Sequence, residues 1–212
     1  GIKPDQSLED YIAAMPFNLA YTYGVNTSCI TIESGVENEY IICDAGTGLR
    51  DFGLAYAKSG LLGKPATFHL FLTHLHWDHI QGFPFFVPIY VPGNKIIIHG
   101  YHHNIEEYIT KQMNPPCYPV PLGALGAEII FDVKLPWETF DVCGFSIRTI
   151  QQNHPGISLV IALKKKVKWL FIQPIVNILK TLTKMVIPLS TSSGTQTYYC
   201  LMPCIRWQPP VF

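Results

Sequence analysis

The stretch "ATFHLFLT" (66–73) is nearly all apolar. At Thr73 it runs directly into "THLHWDHIQG" (73–82), which sets three histidines and one aspartate within six consecutive positions. Such an apolar run reads as a β-strand buried on both faces, and that requires packed layers on either side of its sheet. The polar cluster then falls on the loop at the strand's C-terminal end, where open α/β sheets carry their sites. In extended chain, residues two apart point the same way, so His74 and His76 can grip one metal ion. Asp78 and His79 follow as the chain bends toward "IQGFPFF" and can reach a second ion beside it. Imidazole and carboxylate are ligands that borderline metals such as zinc take. Two ions about 3.5–4 Å apart can share a hydroxide and stabilise charge on a transferring phosphoryl or acyl oxygen. The bland alternative is a polar loop with incidental histidines. Four ligand-type residues in six positions, straight after a buried strand, argue against it.

The chain up to residue 158 alternates strands and helices. "TSCITIE" (27–33) and "EYIICD" (39–44) form β-branched, apolar runs around a polar turn, which predicts a hairpin. "AGTGLRDFGLAYAKSG" (45–60) opens with glycines and continues at helical spacing through Leu49, Phe52, Leu54 and Ala57. "KIIIHG" (95–100) reads as a second buried strand. "NIEEYITKQM" (104–113) offers Asn104 as N-cap with Glu107 three residues on. "NPPCYPVPLG" (114–123) is proline-rich loop, and "EIIFDV" and "FSIRTIQ" are further strands. This alternation indicates a layered α/β domain. His69, inside a buried strand, reads as a satisfied core histidine. His99 ends a strand, and His102 and His103 lie in the following loop, where one of the pair is a candidate substrate contact.

Composition narrows the setting. Hydrophobic residues make up 48% of the 212 and charged residues 14%, with zero net charge. There is no global electrostatic case for nucleic acid or an acidic membrane surface. The polar, acidic start "GIKPDQSLED" is no secretory signal and lacks an initiator Met, so a processed or fragmentary start is expected. Six cysteines without a framework predict reduced thiols and a cytoplasmic protein.

With these residues in view, the chain resembles a known superfamily. "THLHWDHIQG" is similar to the HxHxDH signature of the metallo-β-lactamase superfamily. "NTSC" (26–29), "DAGTG" (44–48), "FPFF" (83–86) and "NHPG" (153–156) resemble a bacterial, phosphodiesterase-like branch of its hydrolases, over roughly residues 20 to 158. The resemblance implies an α/β fold, a four-layer αββα sandwich with a dinuclear site at one edge of its two sheets. It implies that His74, His76 and His154 bind a first metal, and that Asp78 and His79 bind a second. Asp78 would also be catalytic, handling a proton of the attacking water. Asp44 would support the loops around the site, while Gly46 and Gly48 are expected to permit a tight turn. The implied cofactors are two divalent ions, zinc first, with manganese or iron as alternatives. The implied activity is that of a metal-dependent hydrolase acting on a phosphodiester or another small molecule. A thioester or lactone hydrolase and a tRNA-processing nuclease share the same site. The acidic balance of residues 1–158 speaks against nucleic acid as partner. No membrane partner is expected, and a homodimer is left open.

Residues 159–212 differ in kind. All fifteen Asp and Glu lie in residues 1–158, against eight Lys and Arg, a balance of −7. The last 54 residues carry seven Lys and Arg with no acid and no histidine, a balance of +7. The segment 167–189 is apolar but interrupted by lysines and by Pro174 and Pro188, a poor membrane span. "CLMPC" (200–204) has the wrong spacing for a zinc knuckle. The resemblance requires a bridging aspartate and a last histidine downstream, and this segment holds neither. The genetic code suggests why. "LVIAL" (159–163) can be encoded TTG GTT ATC GCA TTA, and one restored T turns it into "FGYRI", the kind of strand the family carries after "HPG". In the same frame "KKVKWLFIQPIVNI" can become "KGKVVIYSTDSEY", with an aspartate where the family's bridging ligand belongs. Met185 before Val186 forces Gly and Met202 before Pro203 forces Ala, and both fit. The expected organisation is therefore a partial metallo-β-lactamase-like domain over 1–158 and an out-of-frame tail over 159–212 with no independent domain. As written, the chain is expected to be an impaired or inactive relative.

Overall fold

A computed structural model describes Ser7, Asp10, Tyr11, Ala14 and residues 26–135, 137–153, 157–165, 168–173 and 197–201. Among the described residues two five-stranded sheets face each other. The first runs in the order β1 (Ile30–Glu33), β2 (Glu39–Cys43), β3 (Thr67–Phe71), β4 (Lys95–Gly100), β5 (Glu128–Val133). Its β1–β2 hairpin is antiparallel, and β2 to β5 are parallel. Parallel neighbours need crossovers, and helix α1 (Gly48–Lys58) supplies the one between β2 and β3. Helix α2 (Trp77–Ile80) is a single turn after β3, and α3 (Ile105–Gln112) follows β4. Asn104 sits at the N-cap of α3 as expected, but its side chain makes no capping hydrogen bond.

Alternation along each strand sends side chains to two different cores. Ile42, Phe68, Leu70, Ile96 and Ile98 point one way and meet Leu49, Ile105 and Ile109 of the helices, together with Phe83 and Phe86. Ile30, Ile41, Cys43 and Phe71 point the other way, into the second sheet. Each fully buried Ile, Leu or Phe contributes about 1.5–3 kcal/mol relative to leaving it in water.

The second sheet has the order β10 (Thr197–Leu201), β9 (Lys168–Gln173), β8 (Ile157–Lys165), β7 (Phe145–Asn153), β6 (Thr139–Val142). All its pairs are antiparallel except β9–β10. Val142 pairs with Phe145 across a two-residue turn in which Cys143 (φ 51) and Gly144 (φ 71) are both left-handed. That twist suits a tight hairpin. Strand β8 runs without a break across the 158/159 boundary expected from the sequence. Leu159 to Leu163 are all buried, and Ile161 and Leu163 face the first sheet. Residues 168–173 extend the sheet as β9. Five successive apolar residues suit a strand enclosed on both faces, which is why this stretch pairs with β7. The rest of 159–212 lies outside the described residues apart from β10.

The loop after β3 is docked on the turn after β2 backbone to backbone. Ala45 N–H donates to His79 O (2.8 Å), and Gly82 N–H donates to Ala45 O (2.8 Å). A Cβ on Gly82 would overlap the Gly46 carbonyl, and one on Gly46 would stand 2.5 Å from Asp78 O. Neither Gly46 nor Gly48 has a positive φ. A turn does open at Gly46, closed by Leu49 N–H to Gly46 O (3.0 Å), but the glycine is required by close approach of two loops rather than by a left-handed backbone. Gly82→Ala is expected to lower unfolding free energy in urea by more than about 2 kcal/mol, because backbone must move to admit the methyl. Gly123→Ala, with open space around the new Cβ, serves as control and should change it by less than about 0.5 kcal/mol.

Candidate metal centre

Asp44 is fully buried and left-handed (φ 63) at the C-terminal end of β2. Its Oδ1 accepts from Thr73 N–H (2.8 Å), and the Thr73 hydroxyl lies 2.9 Å from both carboxylate oxygens. Its Oδ2 also accepts from the Ser28 hydroxyl (3.1 Å) and from His79 Nδ1 (2.7 Å). A buried carboxylate is tolerated only with its lone pairs satisfied, and this one collects four donors.

These bonds set the histidine tautomers. A carboxylate only accepts, so His79 Nδ1 carries a proton and Nε2 is left free to ligate. The Thr73 hydroxyl spends its proton on Asp44, so its oxygen accepts from His74 Nδ1 (3.0 Å), which places the His74 proton on Nδ1 as well. The His74 ring centroid lies 4.4 Å from that of His76 and 4.1 Å from that of His79. The Asp78 carboxylate stands 3.4 Å from His79 Nε2. Two atoms each about 2.1 Å from one ion at a tetrahedral angle are about 3.4 Å apart, so this pair fits a shared metal. Burial pulls the His79 pKa down, but the Asp44 hydrogen bond and charge, with the Asp78 charge, outweigh it and leave the pKa raised.

Four of the five sequence-predicted ligands, His74, His76, Asp78 and His79, therefore share one loop, with His74 and His79 buried and His76 and Asp78 exposed. The fifth, His154, lies outside the described residues. A cleft of about 390 Å³ opens beside the loop, lined by His74 and His76 on one side and Tyr101, His102, His103 and Tyr108 on the other. Both members of the His102–His103 pair thus face the same cleft. The Thr73 carbonyl accepts from Leu159 N–H (3.1 Å), so the second sheet touches the loop at its first residue.

A second polar group lies in the inter-sheet layer. His99 Nδ1 bonds Asp132 Oδ2 (2.7 Å), and His99 Nε2 meets His69 Nδ1 (3.0 Å). Asp132 is also paired with Lys134 (3.0 Å). Burial drives the His99 pKa down to about 4 and lowers that of His69, despite the nearby carboxylates. His69 has partners, as expected of a core histidine, but they are polar. The register that brings Phe71 opposite His99, and His99 opposite Asp132, is a long-range pairing that no local pattern announces.

With the geometry stated, comparison with known proteins identifies the fold. The chain matches no family model. It is 29% identical over 135 residues to ribonuclease Z of Haloarcula marismortui, a match covering 61% of this chain and 39% of that protein. The chain thus spans about two fifths of the curated relative it matches. Among solved structures it is similar to the metallo-β-lactamase-fold protein YhfI of Bacillus subtilis, at 18% identity and TM-score 0.50, over 72% of this chain and 56% of that one. It is likewise similar to the short form of human tRNase Z, at 19% identity and TM-score 0.50, over 72% of this chain and 63% of that one. This chain is a metallo-β-lactamase-fold protein.

Two outcomes follow. Asp44→Asn, which tolerates the left-handed backbone, should weaken zinc binding about 10–100-fold in isothermal titration by freeing His79 from its tether. For His99 the sign is set by a folded pKa below the unfolded value of about 6.5. Below that pH the unfolded chain takes up a proton that the folded chain refuses, so this contribution to stability is lost as pH falls from about 6.5 toward about 4. Urea melts at pH 7 and pH 4.5 should show a loss that shrinks in His99→Gln.

Proposed function

We propose that this chain is built as a metal-dependent hydrolase that cleaves phosphodiester bonds at the His74–His79 loop. The observation that supports it most is the buried Asp44 hub. It leaves the Nε2 atoms of His79 and, through Thr73, of His74 directed away from their tethers, with the Asp78 carboxylate 3.4 Å from the first. Ligating histidines are commonly held in that way, with the second ring nitrogen tethered to a carboxylate or a group bound to one. Divalent ions held by His74, His76, Asp78, His79 and His154 would activate water and stabilise charge on a transferring oxygen.

The chain's own groups have separate parts. Asp78, exposed on the same loop, accepts the proton of the attacking water. His102 and His103, across the cleft, hydrogen-bond the phosphate oxygens. Tyr101 and Tyr108 form an aromatic wall against which the leaving group rests. Likeness to ribonuclease Z favours an RNA phosphodiester as the substrate. The acidic balance of residues 1–158 favours a smaller diester. Among the described residues no helix is long and apolar enough to cross a membrane.

The same proposal includes the tail. Residues 159–212 hold no Asp, Glu or His, so the bridging carboxylate and last histidine implied by the family are not among them. A shifted reading frame from codon 159 accounts for that loss and for the change from −7 to +7.

The test compares the chain as written with a version carrying one restored base at codon 159 and the natural C-terminus, both supplied with zinc or manganese. The restored version should hydrolyse bis(p-nitrophenyl) phosphate in a metal-dependent way and lose at least about 100-fold of kcat in Asp78→Ala. The chain as written should be slower by a similar factor, since it lacks a carboxylate between adjacent cations. Cleavage of an RNA substrate in preference to the reporter would select the RNA reading. Hydrolysis of thioesters or lactones with no diester activity would refute the proposal.

A further inference from the structure

A second set of metal-ligand side chains lies away from the His74–His79 loop. Glu39 on β2, His69 on β3 and Cys143 at the β6–β7 turn each offer a ligand atom, and the three atoms all lie within 4.8 Å of one another. His69 is five residues upstream of His74, about 16 Å along an extended strand. The group is therefore a separate place in the fold.

Hydrogen bonding orients the group. Asp132 accepts from Lys134 and from His99 Nδ1, so the His99 proton sits on Nδ1 and its Nε2 is an acceptor. Among the described residues that acceptor meets His69 Nδ1 (3.0 Å), which then carries the His69 proton. On this tautomer His69 Nε2 carries the ring's lone pair, and it stands 3.7 Å from Glu39 Oε2. Two acceptors facing each other at that separation call for a cation between them. The relay of Asp132, His99 and His69 is the arrangement in which ligating imidazoles are commonly held, with a carboxylate at its far end.

The third donor is the Cys143 thiol, which gives its proton to Glu39 Oε2 (2.8 Å). Lys165 lies close enough for its charge to favour the thiolate, although burial and Glu39 together push the thiol up to about 12. Tetrahedral ligands at about 2.0 Å (O) and 2.3 Å (S) stand about 3.5 Å apart, so ligation needs this contact to open by less than an ångström. Glu39 and Cys143 are both partly exposed, which gives an ion a way in.

We propose that Glu39, His69 and Cys143 form a second site for a thiophilic divalent cation of the zinc class, with water as fourth ligand. Binding replaces the Cys143 S–H bond by a sulfur–metal bond and releases that proton to solvent, with no change of oxidation state. The ion would pin the β6–β7 hairpin of the second sheet to β2 and β3 of the first. This inference does not depend on the proposed hydrolase activity.

Cobalt(II) separates the two sites, because a thiolate ligand gives a near-ultraviolet sulfur-to-cobalt charge-transfer band and the His74–His79 loop contains no cysteine. Titration of the whole chain should develop this band at one equivalent per chain. Cys143→Asn, a residue suited to the left-handed backbone there (φ 51), should abolish it. His69→Gln should weaken cobalt binding, read from the band, at least about tenfold. His76→Ala should leave the band in place. No band in the unaltered chain, or a band that survives Cys143→Asn, would overturn the proposal.

Discussion

Asp44 is the interaction on which the arrangement around the loop depends. A fully buried carboxylate is costly unless every lone pair is used, and this one takes donors from Ser28, from the Thr73 backbone and hydroxyl, and from His79. Those residues come from the segment before β1, the end of β3 and the helical turn α2. Removing the carboxylate would leave Thr73 N–H and His79 Nδ1 without an acceptor in a dry interior, at about 1–3 kcal/mol each. The last of these bonds also fixes which nitrogen of His79 carries its proton. Stability and the orientation of His79 thus draw on one side chain.

Around that hub the chain makes close approaches that only small residues allow. Gly46 and Gly82 let two loops exchange backbone hydrogen bonds through Ala45. Behind them Phe71 stacks on His99 at 4.4 Å, so the inter-sheet layer is aromatic and polar as well as aliphatic. The second sheet reaches the loop through Leu159 N–H and Thr73 O. Whatever follows residue 158 in the protein must therefore supply a strand at that position, and "LVIAL" has the apolar character to do so.

The elements legible in the sequence were those with a strong local pattern. Strands β2, β3, β4 and β5 and helices α1 and α3 fall within a few residues of the patterns that predicted them. The His74–His79 loop stood out because four metal-binding residue types fall in six positions. What was hidden depended on pairing between distant segments. The weight carried by Asp44 needs Thr73 and His79 beside it, 29 and 35 residues away. The His69–His99–Asp132 relay needs the register of three strands, and Glu39 meets Cys143 across 104 residues. Asn104 stands where a cap belongs yet makes no capping bond, since its N-cap backbone (φ −105, ψ 20) departs from the extended form that aims the side chain at the helix.

The measurement closest to the central claim is anomalous diffraction at the zinc edge from crystals of the zinc-loaded protein. The account predicts an ion within about 2.0–2.2 Å of His79 Nε2 and an Asp78 oxygen, while His79 Nδ1 keeps its bond to Asp44. An ion bound through His79 Nδ1 with Asp44 turned away, or no ion at the loop at all, would contradict it.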